Sequence, residues 1–405
     1  MSWQSEPLSA LTLKIGSGST PRGGDSVYIS EGTSLIRSQN VYNNEFSTDG
    51  LVYIDEKTAE KMKGVSVEKE DVLINITGDS VARCCLVNDE VLPARVNQHV
   101  AILRTNPKKL LPHFLAFYMV SPFMQAKLLS WAGTGGTRKA LTKGMLEGFE
   151  IPVPPIDDQK KIVEKIKTYN DLIENNRRRI QLLEESARLL YQEWFVHLRF
   201  PGHEQVKIID GVPEGWEIKP ISSFGRVITG KTPSTKNAAY YGDDVPFIKT
   251  PDMHGNVFVV STLQSLSESG SKSQQSTLLP SGCIMVSCIG TVGVVSINPL
   301  EAHTNQQINS VIPENKHLVE FLFCGLKKIK PMLEAIGASS TMNNVNKSKF
   351  SSMEILAPSE KLITEFHLAV ASTFELILSL QKQNLALAKA RDLLLPKLMS
   401  GELTV

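Results

Sequence analysis

The chain has 405 residues, 41% of them hydrophobic, with 43 lysines and arginines against 42 aspartates and glutamates. That length exceeds one ordinary core and the composition is far from that of a disordered chain, so two domains with connecting elements are expected. A formal charge of +1 excludes a uniformly basic nucleic-acid binder; any DNA affinity must come from local patches or from partners.

In chain order, the elements occur twice. Trp3 and Pro7 correspond to Trp216 and Pro220 at a separation of 213; Pro21, Leu35–Asn40 and Gly78 correspond to Pro233, Phe247–Asp252 and Gly290 at 212. Asn97-Gln98-His99 matches Asn305-Gln306-Gln307 at 208, and His113, Phe117, Gly133, Thr137 and Pro154 match His317, Phe321, Gly337, Thr341 and Pro358 at 204. A separation that only steps downward is what loop deletions between duplicated domains leave, and chance similarity would not keep the order.

Each half opens with a β-rich stretch, whose clearest strands are the β-branched runs Val72–Ile76 and Cys283–Ile289, each ended by glycine. A helical segment follows (112–132 and 317–336), then a Gly/Ser/Thr loop (Gly133–Ala140 and Gly337–Asn344), then a proline hinge (Ile151–Pro155 and Leu356–Pro358) that disfavours helix before it and permits helix after it. The expected partition is a first domain at 1–153, a long helix at 154–198, a linker at 199–212, a second domain at 213–357 and a second long helix at 358–405. The fold class is α/β (α+β).

Beyond the first hinge, apolar residues fall at Ile162, Ile166, Tyr169, Ile173, Ile180, Leu183, Ala187, Leu190 and Trp194, with Asn176 in the one polar slot. Alternating steps of four and three make a coiled-coil seam. The repeat carries that register to Phe366, Val370, Thr373, Ile377, Leu380, Asn384, Leu387, Arg391 and Leu394. With everything outside the stripe charged, each helix is the other's natural partner. An antiparallel pairing about a two-fold centred near residue 178 would set Asn176 against Asn384 and Ile180 against Leu380.

No apolar run approaches the ~20 residues that cross a bilayer, and the N-terminus lacks a basic start followed by an apolar core, so a cytoplasmic protein is expected. The five cysteines (Cys84, Cys85, Cys283, Cys288, Cys324) are odd in number and fit neither a disulfide framework nor metal-ligand spacing, which reads as reduced structural thiols.

The segment Leu189–Glu204 followed by Gly211–Glu217 resembles the junction between the central helix and the second target recognition domain of type I restriction-modification specificity subunits. Leu393–Leu403 is similar to that family's closing motif, and Pro154–Ile166 resembles the usual start of its helices. The resemblance covers essentially the whole chain. It implies two target recognition domains separated by an antiparallel helix pair, each reading one half of a split DNA site while the helices set the spacer. It also implies two methyltransferase subunits and two ATP-driven restriction/translocase subunits as partners, with S-adenosylmethionine, ATP and Mg held by those partners and no cofactor on this chain.

Gly225–Thr232 satisfies the phosphate-loop pattern GxxxxGK[ST]. That mechanism needs a flexible loop and a helix starting at the lysine, whereas Val227, Ile228 and Thr229 read as strand and Pro233 follows at once. The adenine methyltransferase tetrad is absent, Asn298-Pro299-Leu300 being the nearest approach. The histidines show no ligand spacing, and Glu184-Glu185 reads as a solvated helix face. No catalytic constellation emerges. The competing readings are a nucleotide-hydrolysing enzyme using the GKT loop and a protein adaptor that binds no DNA.

Candidate DNA contacts are loop residues able to meet base edges or phosphates. In the first domain they are Ser17, Ser19, Arg22, Arg37, Gln39, Asn40, Arg95, Asn97, Gln98, Thr137, Arg138 and Lys139. In the second they are Lys231, Thr232, Lys249, Asp252, His303, Asn305, Gln306, Thr341, Asn343, Asn344 and Lys347.

Overall fold

The structure, a computed structural model, describes residues 3–133, 139–338 and 344–403. It divides into two compact units, Met1–Asp171 with Leu387–Val405, and Leu172–Ala386. Each long helix therefore contributes to both.

In the first unit an antiparallel sheet takes the order Thr12–Ser17, Val100–Thr105, Val72–Asn75, Cys84–Leu86. Val72–Asn75 is buried at every position because strands flank it and both sheet faces are covered, which is why Val72, Leu73 and Ile74 are apolar without alternation, while the buried Asn75 donates to Ser38 O and Val41 O. Its alternation sorts the two faces. Val72 and Ile74 join a cluster with Phe114 and Leu115 of the helix Pro112–Val120. Leu73 joins another with Ile36 and Val96 of a second sheet, ordered Val52–Ile54, Thr33–Ile36, Ala94–Val96, Ser66–Val67. A slip of one residue would exchange the two faces, so the pattern specifies the register.

The second unit repeats this arrangement. Gly225–Thr229, Ile308–Pro313, Ile284–Ser287 and Val295–Ile297 form its antiparallel sheet, and the second sheet again contains one parallel pair, Val245–Ile248 with His303–Thr304, as Thr33–Ile36 pairs with Ala94–Val96. Ile284 and Val286 face the helix Leu318–Lys328, while Met285 faces Ile248. The expected helical segments are each broken. The first divides into Pro112–Val120 and Pro122–Ala132 because Pro122 holds Ser121 in extended backbone, and the second divides into Leu318–Lys328 and Lys330–Ala338.

The long helices run Ile156–Phe195 and Glu360–Met399. In the first unit, Ile162 and Ile166 are buried with Leu395, Leu398 and Met399, and Arg391 Nη1 donates to Asn170 Oδ1 at 2.8 Å. In the second unit, Ile180, Ala187, Val370, Ile377 and Leu380 share one core. Beyond Ala187 the buried positions become Tyr191 and Phe195, with Leu190 and Trp194 only half-buried. A straight helix drifts against a strict heptad, and here the drift turns the stripe into an aromatic cluster with Phe321, Phe366 and Trp216.

One expectation about apolar runs is corrected. By length and composition the helix Glu360–Met399 is apolar enough to cross a membrane. Phe366, Val370, Phe374, Ile377 and Leu380 lie in the second unit's core, and 33% of the helix's most apolar stretch is buried. Glu184, read as solvated, pairs with Lys327, while Glu185 pairs with Arg188.

Asn176 Nδ2 donates to Asn384 Oδ1 at 3.0 Å, with Asn176 only 7% exposed, so the pair anticipated from the two-fold register is present. Replacing both with leucine is expected to raise stability by about 1 kcal/mol, because a buried polar pair contributes little net energy beyond an apolar one. Asn384→Leu alone should lower it by removing the acceptor from a buried amide. Thermal unfolding followed by circular dichroism checks both signs, and a double variant less stable than the parent would count against the account.

Candidate nucleic-acid interface

The strand ends that lead into the loops share one construction. Gly18 N–H donates to Val100 O at 2.9 Å and Ser19 N–H to Val96 O at 3.1 Å; in the second unit Gly230 N–H donates to Ile308 O at 3.1 Å and Lys231 N–H to Thr304 O at 2.9 Å. A Cβ at Gly18 would stand 2.0 Å from Val96 O, and one at Gly230 would stand 2.2 Å from Thr304 Oγ1 and 2.3 Å from Thr304 O. Glycine is required at both places so that the strand can cross against the turn bearing Asn97–His99 or Asn305–Gln307.

That construction accounts for the GKT match. Gly225–Thr229 is a strand paired with Ile308–Pro313, and the element after Pro233 is a short 3-10 turn at Ala238–Tyr240, not a helix beginning at Lys231. The amides that would cradle a phosphate are spent on the sheet. Titration of the chain with Mg-ATP is expected to give no saturable heat, identical for Lys231→Ala; binding lost on that substitution would restore the phosphate-loop reading.

Several sequence-selected polar residues serve the backbone. Asn40, fully buried, accepts from Arg37 N–H at 3.0 Å and donates to Ser47 O and Asp49 O. Its counterpart Asp252 accepts from Lys249 N–H at 2.8 Å and Leu263 N–H at 3.0 Å. Asn97 accepts from His99 N–H, and Asn305 accepts from Gln307 N–H. His303 is fully buried against Ser271 Oγ at 2.9 Å, and burial holds its pKa below the usual imidazole value by disfavouring the cation. Asn40 and His303 are fully enclosed and bonded within the fold, Asp252 is buried and spends its carboxylate on two backbone amides, and Asn97 and Asn305, each 7% exposed, spend Oδ1 on the turn that carries them.

Arg37 Nη2 donates to Gly50 O at 2.6 Å, and Arg95 donates to Ala59 O and Ala94 O, both at 3.0 Å. Thr232 donates to Gln306 at 2.5 Å and Lys249 to Gln264 at 2.6 Å. Ser17, Ser19, Arg22, Gln39, Gln98 and Lys139 are exposed in the first unit, as are Lys231, Gln306, Asn344 and Lys347 in the second. Thr137, Arg138, Thr341 and Asn343 lie outside the described residues.

In the first unit a cleft of about 910 Å³ gathers Ser38, Gln39, Tyr42, Thr77, Asp79, Ser80, Arg83, His99 and Lys139. Only Gln39 and Lys139 among these were selected from sequence. The signal for the rest was the repeat itself: Ser38 lies within and Tyr42 just beyond the matched segment Leu35–Asn40, Thr77, Asp79, Ser80 and Arg83 lie near Gly78, and His99 ends the Asn-Gln-His triplet. Among the described residues no group of His, Cys, Asp and Glu is arranged to hold a metal ion. All five thiols are free and buried, and desolvation pushes those of Cys85, Cys283 and Cys324 up to about 12.

A family model described as the type I restriction modification DNA specificity domain matches residues 15–185 and again 213–381. The type I restriction enzyme HindI specificity subunit of Haemophilus influenzae is 31% identical over 432 aligned positions, which cover 91% of this chain and 94% of that protein. The MjaIX specificity subunit of Methanocaldococcus jannaschii is 26% identical over 71% of this chain and 68% of that protein. Among solved structures, the type I restriction-modification system S subunit from M. genitalium shares the fold with a TM-score of 0.57 at 14% identity, covering 98% of this chain and 96% of that one. With two copies of the specificity domain and a relative matched along nearly its full length, this chain belongs to the family of type I restriction-modification specificity subunits.

Proposed function

We propose that this chain is the DNA sequence-recognition subunit of a type I restriction-modification complex in the cytoplasm, with each unit reading one half of a bipartite site. The observation that carries the reading is the duplication: one domain model matches twice, and each match contains its own pair of sheets and its own cores. The long helices set the spacer between the half-sites and dock methyltransferase subunits. Two such subunits and two restriction/translocase subunits complete the assembly, holding S-adenosylmethionine, ATP and Mg, while this chain holds no cofactor. The near balance of charge supports a division of labour in which partners supply much of the phosphate contact.

Methylation mapping in cells expressing the chain with its methyltransferase partner is the test. The expected motif has two specified halves separated by a fixed unspecified spacer. One continuous motif, or none, would refute the reading. Inserting one heptad after Leu183 should displace that part of the helix by about 10 Å, giving a longer spacer with unchanged halves or an inactive complex; unaltered spacing would detach the helices from that role.

A further inference from the structure

The duplication allows the chain to be compared with itself, using backbone bonds to define equivalent positions. Ile76 N–H donates to His99 O as Cys288 N–H donates to Gln307 O, and Asn75 N–H donates to Arg83 O as Ser287 N–H donates to Val294 O. Thr77 bridges Ala140 as Ile289 bridges Asn344. These bonds equate His99 with Gln307, Arg83 with Val294 and Thr77 with Ile289. Backbone requirements recur at such positions: Gly78 and Gly290 have φ of 79° and 76°, and Ala82 and Gly293 have 71° and 83°. The side chains facing the first unit's cleft do not recur. Identical folds that read different half-sites should keep what the backbone needs and differ where bases are met.

Arg83 is the sharpest difference. Its guanidinium lies 4.8 Å from the centre of the Tyr42 ring and faces the cleft, whereas Val294 packs half-buried on a core cluster of the second unit. Arg104 and Arg95, by contrast, are committed to the fold. Arg104 grips the fully buried Asp71 through Nε and Nη2 at 2.8 and 2.9 Å, and Arg95 is tied to two carbonyls. Among the described residues no carboxylate pairs with Arg83. Stacking on an aromatic face fixes the guanidinium plane while leaving its N–H edge to a ligand. That planar fork matches the O6 and N7 acceptors which guanine presents in the major groove.

We propose that Arg83, held on Tyr42, is a specificity-determining residue of the first unit and reads a guanine in its half-site; the inference rests on the DNA-reading function proposed above. The test selects duplexes randomised across both half-sites with the full chain assembled with its methyltransferase partner. For the parent, one half should contain an invariant G·C pair. Arg83→Val, which installs the second unit's residue, should lower preference at that pair about tenfold and leave the other half unchanged. Arg83→Lys, which keeps charge but loses the fork, should relax the same position while holding overall affinity. An unchanged motif in Arg83→Val overturns the inference, as does a uniform loss of affinity that lysine restores, which marks a phosphate contact. A parent that selects no motif overturns the DNA-reading function itself, so the two failures are distinguishable.

Discussion

Exchanging the first unit for that of a relative is expected to replace one half of the methylated motif and leave the other half intact. The first unit has its own clusters around Ile74 and Leu73, and the second unit has its own around Val286 and Met285. Where the exchange is cut decides whether it folds well. A graft of residues 1–153 leaves Leu395, Leu398 and Met399 of the parent facing a foreign surface, although they belong to the first unit's core. Misfit of such buried side chains typically costs ~1–3 kcal/mol. A chimera carrying 1–171 together with 387–405 should therefore unfold at higher temperature than one carrying 1–153 alone, with the same altered half-motif. Methylation mapping and thermal unfolding of both chimeras supply the readings; a change in both halves of the motif would show that the units do not read independently.

Gly230→Ala is expected to destabilise the second unit by about 3 kcal/mol, and Lys231→Ala by no more than about 0.5 kcal/mol. The added methyl would stand 2.2 to 2.3 Å from Thr304 Oγ1 and the carbonyl oxygens of Thr304 and Asn305. Backbone must move to relieve that, and the adjoining bonds from Gly230 N–H to Ile308 O and from Lys231 N–H to Thr304 O lie directly in the way. Lys231 is exposed. A phosphate loop would instead make Lys231→Ala lose nucleotide binding, because its lysine reaches the phosphates. Urea unfolding of the two variants checks the stability order, and a Gly230→Ala variant as stable as Lys231→Ala would refute the steric account. Gly18→Ala should match Gly230→Ala, since its added methyl would stand 2.0 Å from Val96 O.

Much of the architecture is legible in the sequence. Order-preserving identities between the halves, such as Gly78 with Gly290 and Asn97 with Asn305, declared the duplication, because turns that need positive φ or a side-chain acceptor for a backbone amide restrict residue choice locally. Heptad spacing around Asn176 and Asn384 declared the helix register, since a polar residue in an apolar seam needs a partner at the matching height. The family was legible from the helix junctions for the same reason: long helices and their hinges are written in short-range pattern.

The candidate interface was not legible in that way. Asn40 and Asp252 look like base readers in sequence, and only the fold shows them buried beneath the turns that they cap. Arg83 looks ordinary, and only the fold places it on Tyr42, 41 positions earlier in the chain. A side chain's propensity and periodicity depend on its neighbours in sequence and are readable from it. Whether a polar side chain meets backbone, core or cleft depends on strands that pair across long separations, so that decision belongs to the tertiary structure.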